Sequence, residues 1–223
     1  MIDWQPLWLT LQLALSTTLL LLAIGIPLAY RIACSRSRFK PLLEALVSMP
    51  LVLPPSVLGF YLLLAFSPQN AFGAFLARWL HVQLAFSFAG LLVASVLFSL
   101  PFMVQPLQAG FQHLPSSLLE ASRTLGKPDR VTLFKVLLPN MKGALLTAIV
   151  LSFAHTVGEF GVVLMIGGNI PGVTRVASIA IYDQVESLQY GTAHVYSAVL
   201  MTLSFATLLI VYVLNRRWQR TIS

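Results

Sequence analysis

Long apolar runs separated by short polar segments dominate the chain. Five runs have about the 20 residues or more that one helical crossing of hydrocarbon needs: Leu7 to Tyr30, Leu43 to Phe66, Leu84 to Leu107, Met141 to Ile166 and Val195 to Leu214. Each predicts a transmembrane helix, so the expected fold class is an all-α membrane protein, a polytopic helical bundle of about five transmembrane helices. The runs take up about half of the 223 residues. The rest is too little for a separate soluble domain, and one membrane domain over 1–223 is expected, without a nucleotide-binding domain of its own.

The longest polar interruption, at about 110–140, carries its own local code. Ser117 and Glu120 have the S-x-x-E spacing of a capping box, which would satisfy the first free amides of a short helix. Leu118, Ala121 and Leu125 fall on one face of that helix. Gly126 suits a left-handed terminating residue, and Pro128 just beyond it can open a second helix from Asp129 to Leu138, stopped at Pro139. A helix this short needs packing. Its apolar stripe leaves two readings open: a helix folded back against the membrane surface, or one inserted into a groove on a partner.

Composition agrees with the pattern: 57% of residues are hydrophobic and 9% charged. The net charge of +7 is one-sided. Arg31, Arg36, Arg38, Lys40, Arg123, Lys127, Arg130, Lys135, Lys142, Arg216, Arg217 and Arg220 all fall in loops or flanks of one side, leaving Arg78 and Arg175 on the other with Asp3, Asp183 and Glu186. Because cytoplasmic loops carry the basic excess, the N-terminus is predicted outside and the C-terminus inside. Basic residues spread along membrane edges, without aromatic interleaving, fit membrane lipid headgroups and exclude nucleic acid as a partner. No Lys or Arg precedes the first run, which is also too long for a secretion-signal core. Cys34, the single cysteine, reads as an inert loop thiol, since Arg31 stands where a lipoprotein signal requires an apolar residue.

Three features inside the spans carry candidate chemistry. Pro50, Pro54 and Pro55 remove backbone donors and break the second span at membrane depth, either for packing or to aim helix N-terminal amides at an anion. Glu159 is the one acidic residue well inside a span, where insertion costs about 2.5–3.5 kcal/mol, so it needs a partner or a role. His155, one turn away, is either that partner or a packed residue satisfied by a backbone carbonyl. The four histidines are scattered and no P-loop or paired-carboxylate site is present, so no catalytic residue and no metal site are expected.

The run Glu120-Ala121-Ser122, three residues, Gly126, nine residues, Val136, one residue, Leu138-Pro139 resembles the coupling-loop signature E-A-A-x3-G-x9-I-x-L-P of ABC importer permeases, with Ser122 in place of the second alanine and Val136 in place of isoleucine. Four segments also resemble the molybdate importer permeases. They are Pro50 to Gly59, the A-x-R-T-L-G of Ala121 to Gly126, Gly158-Glu159-Phe160-Gly161, and Asn169 to Arg175. Tungstate and sulfate or thiosulfate permeases are similar enough to stay as alternatives.

The resemblance implies transport of an oxyanion across a bacterial inner membrane by a homodimeric ABC transporter permease. ATP and Mg would be bound by a separate ABC ATPase subunit, and the solute delivered by a periplasmic oxyanion-binding protein. It assigns ATPase coupling to Leu118, Glu120, Ala121, Ser122, Leu125 and Gly126. It assigns the translocation path or gate to Pro54, Pro55, Ser56, Thr156, Gly158, Glu159 and Gly161. The turn-rich loop Asn169–Arg175 on the outer side is either a dock for the binding protein or a plain connecting turn. No cofactor is expected in this chain. With no Lys or Arg deep in any span, high affinity would have to reside in the binding protein. A stand-alone secondary transporter is the rival class, and it leaves the E-A-A pattern unexplained.

Overall fold

The structure is a computed structural model that describes residues 2–222, with side chains described through Asn215. Arg216, Arg217 and Arg220 therefore lie outside the described side chains. The elements are α1 (Gln5–Cys34), α2 (Lys40–Val52), α3 (Pro55–Phe66), α4 (Ala71–Trp79), α5 (Phe88–His113), α6 (Ser116–Thr124), α7 (Asp129–Val131), a π-helical segment Thr132–Leu137, α8 (Leu138–Asn140), α9 (Lys142–Val157), α10 (Gly161–Gly167), α11 (Ala177–Glu186) and α12 (Tyr190–Ile222). No strand occurs among the described residues.

Among the described residues, three helices are long and apolar enough to cross a membrane, namely α1, α5 and the Tyr190–Asn215 part of α12, and the number rises to five if each of two bent pairs is one span. The second predicted span is not a single rod: α2 and α3 meet at 109°. The break lies at Leu53, which is extended at φ −69° and ψ 134°. That is the conformation a following proline imposes, and Pro54-Pro55 then restarts the helix. Pro50 is carried inside α2 without ending it, so the expectation that all three prolines break the span holds only for the pair. The fourth predicted span is also interrupted, at Gly158–Phe160 between α9 and α10.

α5 is the axis of the bundle, packed against α1, α9, α2 and α10. A methyl group added at Gly25 of α1 would lie 2.6 Å from Met103 Cγ of α5, so the two helices touch closely, as small residues allow in hydrocarbon. One buried cluster joins Ile26, Ile32, Met103, Leu107 and Phe111 to Leu133, Leu137 and Leu138, which fixes the polar loop to the ends of α1 and α5. A second joins Leu13, Leu91, Phe98, Val162 and Ile166 at the opposite end. There Thr10 Oγ1 accepts from the Ala177 amide at 2.8 Å and the Tyr196 hydroxyl donates to the Asp3 carbonyl at 2.5 Å, tying the start of α1 to α11 and α12.

The two interruptions pack on each other. A methyl group on Gly161 would sit 2.8 Å from Pro55 Cβ, and one on Gly59 would sit 2.8 Å from Met165 Cβ. Both breaks are thus covered by protein on their shared side, as irregular backbone at membrane depth requires. Gly59→Val should therefore lower the stability of the purified protein by about 1–3 kcal/mol through overpacking, read as a fall in thermal midpoint in detergent. Gly191→Ala, whose added methyl meets nothing within 4 Å, should leave the midpoint unchanged or slightly raised.

Candidate functional site

The polar loop folds as two short helices around a glycine corner. α6 starts two residues earlier than a capping box would place it, with Pro115 at the N-cap and no side-chain cap hydrogen bond. Ser117 and Glu120 therefore do not form the expected box. Proline at the N-cap presets the entry, so Ser117 falls inside the first turn, where its hydroxyl is out of register with the free amides.

The C-terminus is as the sequence predicts. Gly126 has φ +65°, its amide bonds the Arg123 carbonyl at 2.9 Å, and the Lys127 amide bonds the Ser122 carbonyl at 3.1 Å. These two bonds make a Schellman motif. A Cβ on Gly126 would meet nothing within 4 Å, so the requirement for glycine there is conformational and not steric.

The buried face of α6 differs from the expected stripe. Ser122 is 5% exposed and Leu125 73% exposed, with Ala121 exposed and Leu118 half-buried. Ser122 Oγ lies 2.7 Å from Thr132 Oγ1, so the residue that replaces the motif's alanine bridges the two helices. Glu120 is exposed. The second helix runs past its predicted stop: Pro139 lies inside α8, and the turn ends at Met141 before α9 leaves at 88°. The Leu138 amide reaches back five residues to the Leu133 carbonyl. This wider turn relieves the clash that the Pro139 ring would make with the Lys135 carbonyl in a regular α-helix.

Of the residues expected on a path or gate, Pro55, Ser56 and Gly161 come together where α3 and α10 begin, with Pro54, Pro55 and Ser56 exposed. Gly158 is exposed as well. Thr156 and Glu159 are 2% and 3% exposed and face the bundle interior, so they line no open surface here. His155 pairs neither with Glu159 nor with a backbone carbonyl. Its Nδ1 lies 2.9 Å from Ser99 Oγ and its ring stacks on Phe102 at 4.0 Å. Ser99 Oγ also contacts Thr156 Oγ1 at 3.1 Å.

Glu159 is held through its backbone, whose carbonyl accepts from Ser178 Oγ at 2.6 Å. Neither carboxylate oxygen has a hydrogen-bond partner among the described residues, and Ser95 Oγ is likewise buried and unpaired. At the end away from the polar loop, Asn169–Arg175 is a braced turn. Arg175 Nε donates to Asn169 Oδ1 at 2.6 Å, Asn169 Nδ2 donates to Asp183 Oδ1 at 2.6 Å, and the Arg175 guanidinium pairs with Asp183 at 3.4 Å.

One polar face was missed. Gln105, Gln108 and Gln112 of α5 lie opposite Glu44 and Ser48 of α2 around a cleft of about 260 Å³. Gln105 Nε2 donates to Ser48 Oγ at 3.0 Å and Gln108 Nε2 to Glu44 Oε1 at 2.6 Å. The spacing i, i+3, i+7 places the three glutamines on one helical face and was readable in the sequence. On the next face of α5 a cleft of about 410 Å³ is lined by Pro106, Gly110, His113, Asn140 and Met141.

Residues 22–220 match the family of binding-protein-dependent transport system inner membrane components. The chain is 47% identical over 222 residues, 99% of its length and 97% of the relative's, to the molybdenum transport system permease protein ModB of Azotobacter vinelandii. It is 37% identical over 181 residues to the sulfate transport system permease protein CysT of Synechocystis sp., covering 81% of this chain and 63% of that protein. Among solved structures, an inward-facing MetNI methionine ABC transporter chain superposes with a TM-score of 0.69 at 18% identity, over 95% of this chain and 94% of that one, a likeness of fold.

The Ser122–Thr132 contact makes a coupling test. Ser122→Ala should cost about 0.5–1.5 kcal/mol, because Thr132 keeps a second acceptor in the Pro128 carbonyl at 3.3 Å. In a double-mutant cycle on unfolding in detergent, Thr132→Val should cost less in the Ser122→Ala background than in the wild type.

Proposed function

Since the chain belongs to the family of inner-membrane components of binding-protein-dependent transport systems, we propose that it is the permease subunit of an ATP-driven importer for molybdate. The substrate rests on the 47% identity to the molybdenum permease over nearly the whole of both chains. The weaker likeness to the sulfate permease favours sulfate as the second reading.

The observation that carries the mechanism is the exposed glycine corner of the polar loop. Leu125 projects at 73% exposure beside Gly126, while Leu133, Leu137 and Leu138 anchor the following segment to α1 and α5. A partner that grips the α6 corner would move an element rigidly joined to the ends of two spans. The partner in this reading is an ABC ATPase subunit, which holds ATP and Mg and hydrolyses the nucleotide. Glu120, Ala121, Ser122, Leu118, Leu125 and Gly126 are its contact or positioning residues.

Pro54, Pro55, Ser56, Gly158 and Gly161 form the gate region between the paired interruptions, with Thr156 and Glu159 behind it as buried supports. A periplasmic oxyanion-binding protein docks on the Asn169–Arg175 turn, whose internal bridges keep its shape. Two copies of the chain enclose the path, because a single bundle leaves Gln105 and Gln112 exposed at the α2–α5 face. The protein is a multi-pass inner-membrane protein, with its N-terminus outside and its C-terminus cytoplasmic. Arg31 and Arg130 line one cleft at the loop end of the bundle, which supports gathering the basic residues on one side.

The test is uptake of labelled molybdate into proteoliposomes containing this chain, the ATPase and the binding protein. Uptake should need ATP and both partners, and competition by tungstate and sulfate ranks the anions. Transport driven by an ion gradient without the ATPase would sink this reading and favour a secondary transporter. Gly126→Val should abolish uptake while membrane insertion stays intact, because a β-branched residue at φ +65° is strained whatever the space around it. Normal uptake by that variant would remove the coupling role of the corner.

A further inference from the structure

The α2–α5 cleft has a feature that helix packing does not require: exposed amides with spare donors at the loop end of the bundle. Gln105 stands eight residues before the end of α5, about 12 Å along the helix and just inside the apolar run that ends at Leu107, and it is exposed, as are Ala109 and Gln112. Three glutamines on one helical face are disfavoured against lipid, so this face lines either protein or water. The Gln105–Ser48 and Gln108–Glu44 bonds hold only part of its hydrogen-bonding capacity. One N–H each on Gln105 and Gln108, both on Gln112 and the Ser48 hydroxyl proton remain to donate. Lys and Arg are absent from the cleft lining.

We propose that Gln105, Gln108, Gln112 and Ser48 form the inner section of the permeation path, a ladder of neutral donors that passes a tetrahedral oxyanion toward the loop end of the bundle. The proposal rests on the oxyanion-importer reading and adds the side chains that meet the substrate. Neutral donors replace part of the hydration shell of the anion without holding it as a guanidinium would. Glu44, the carboxylate in the same cleft, orients the Gln108 amide and repels a dianion, so the ladder favours passage over retention. Beyond Ser48 the exposed residues of α2 are Met49, Leu51 and Val52, so the polar face ends there and the next exposed hydroxyl is Ser56, past the break at Leu53 and Pro54.

Two measurements on the complete complex test it. In a Cys34→Ser background, which removes the exposed native thiol, Gln105→Cys should react with an anionic, membrane-impermeant thiol reagent applied to the cytoplasmic side of inverted vesicles, and molybdate should slow the reaction. Reaction only with a lipid-soluble reagent overturns the proposal. In proteoliposomes, Gln105→Leu and Gln112→Leu should each lower ATP-driven molybdate uptake by about tenfold, the loss of roughly one hydrogen bond in the path, while assembly with the ATPase is unchanged and Gln112→Asn restores part of the rate. Unchanged uptake in both leucine variants overturns the ladder even if the site is wet. If the wild-type complex imports none of molybdate, tungstate or sulfate, the importer reading fails, and the labelling result alone still decides whether this face is a water-filled path.

Discussion

Hydrocarbon offers no hydrogen-bond partner, so every place where a spanning helix is interrupted has to be covered by protein or open onto water. Much of the architecture follows from that constraint acting on two sequence features. Pro54-Pro55 forces one interruption and Gly158–Phe160 the other, and the chain packs them face to face through Gly161 against Pro55 and Gly59 against Met165. Neither interruption stands on lipid alone. The glycines are needed because any Cβ would hold the two segments apart, and the exposed residues left over, Pro54, Ser56 and Gly158, all belong to the same junction.

The same logic separates the two kinds of polar residue in the bundle. Ser99, His155 and Thr156 satisfy one another inside it, across α5 and α9, and so serve packing. Gln105, Gln108 and Gln112 lie on the same helix as Ser99 but open onto a cleft, with capacity left over. A polar group with all its bonds made internally fixes two helices together, whereas one with spare donors beside a cavity is available to a solute. Glu159 belongs to neither class. Its backbone carbonyl is tied to Ser178 while neither carboxylate oxygen has a hydrogen-bond partner among the described residues, so the α9–α10 break carries a buried, unsatisfied polar group.

Much of this was legible in the chain, and the failures share a cause. The Gly126 corner was readable because a left-handed turn depends on one residue. Pro54-Pro55 was readable because proline acts on its own neighbour. The Ser117–Glu120 box does not form because it depends on where the helix starts, and Pro115 at the N-cap moves that start by two residues. Pro139 reads as a stop, but a π-turn needs only one widened bond to carry a proline, and buried Leu133, Leu137 and Leu138 supply a reason to continue. The break at Gly158 was hidden inside an apolar run whose length matched one span. The glutamine face straddles the end of the third apolar run at Leu107, which separates Gln105 from Gln108 and Gln112 although their helical spacing is readable. Ser122 departs from the motif by one hydroxyl, and only the fold reveals Thr132 as its partner ten residues on.

These pieces divide the labour of transport between unequal kinds of interaction. A Schellman corner, a buried hydroxyl pair and a leucine-rich segment join the loop end to α1 and α5. In the proposed path the donors are neutral, a carboxylate lies in the cleft, and Lys and Arg are absent from its lining. A path with an arginine at its centre would hold a dianion and slow its release, and a stiff loop would then work against a trap. In the proposed importer, tight capture therefore belongs to the binding protein and directionality to the ATPase acting at the loop.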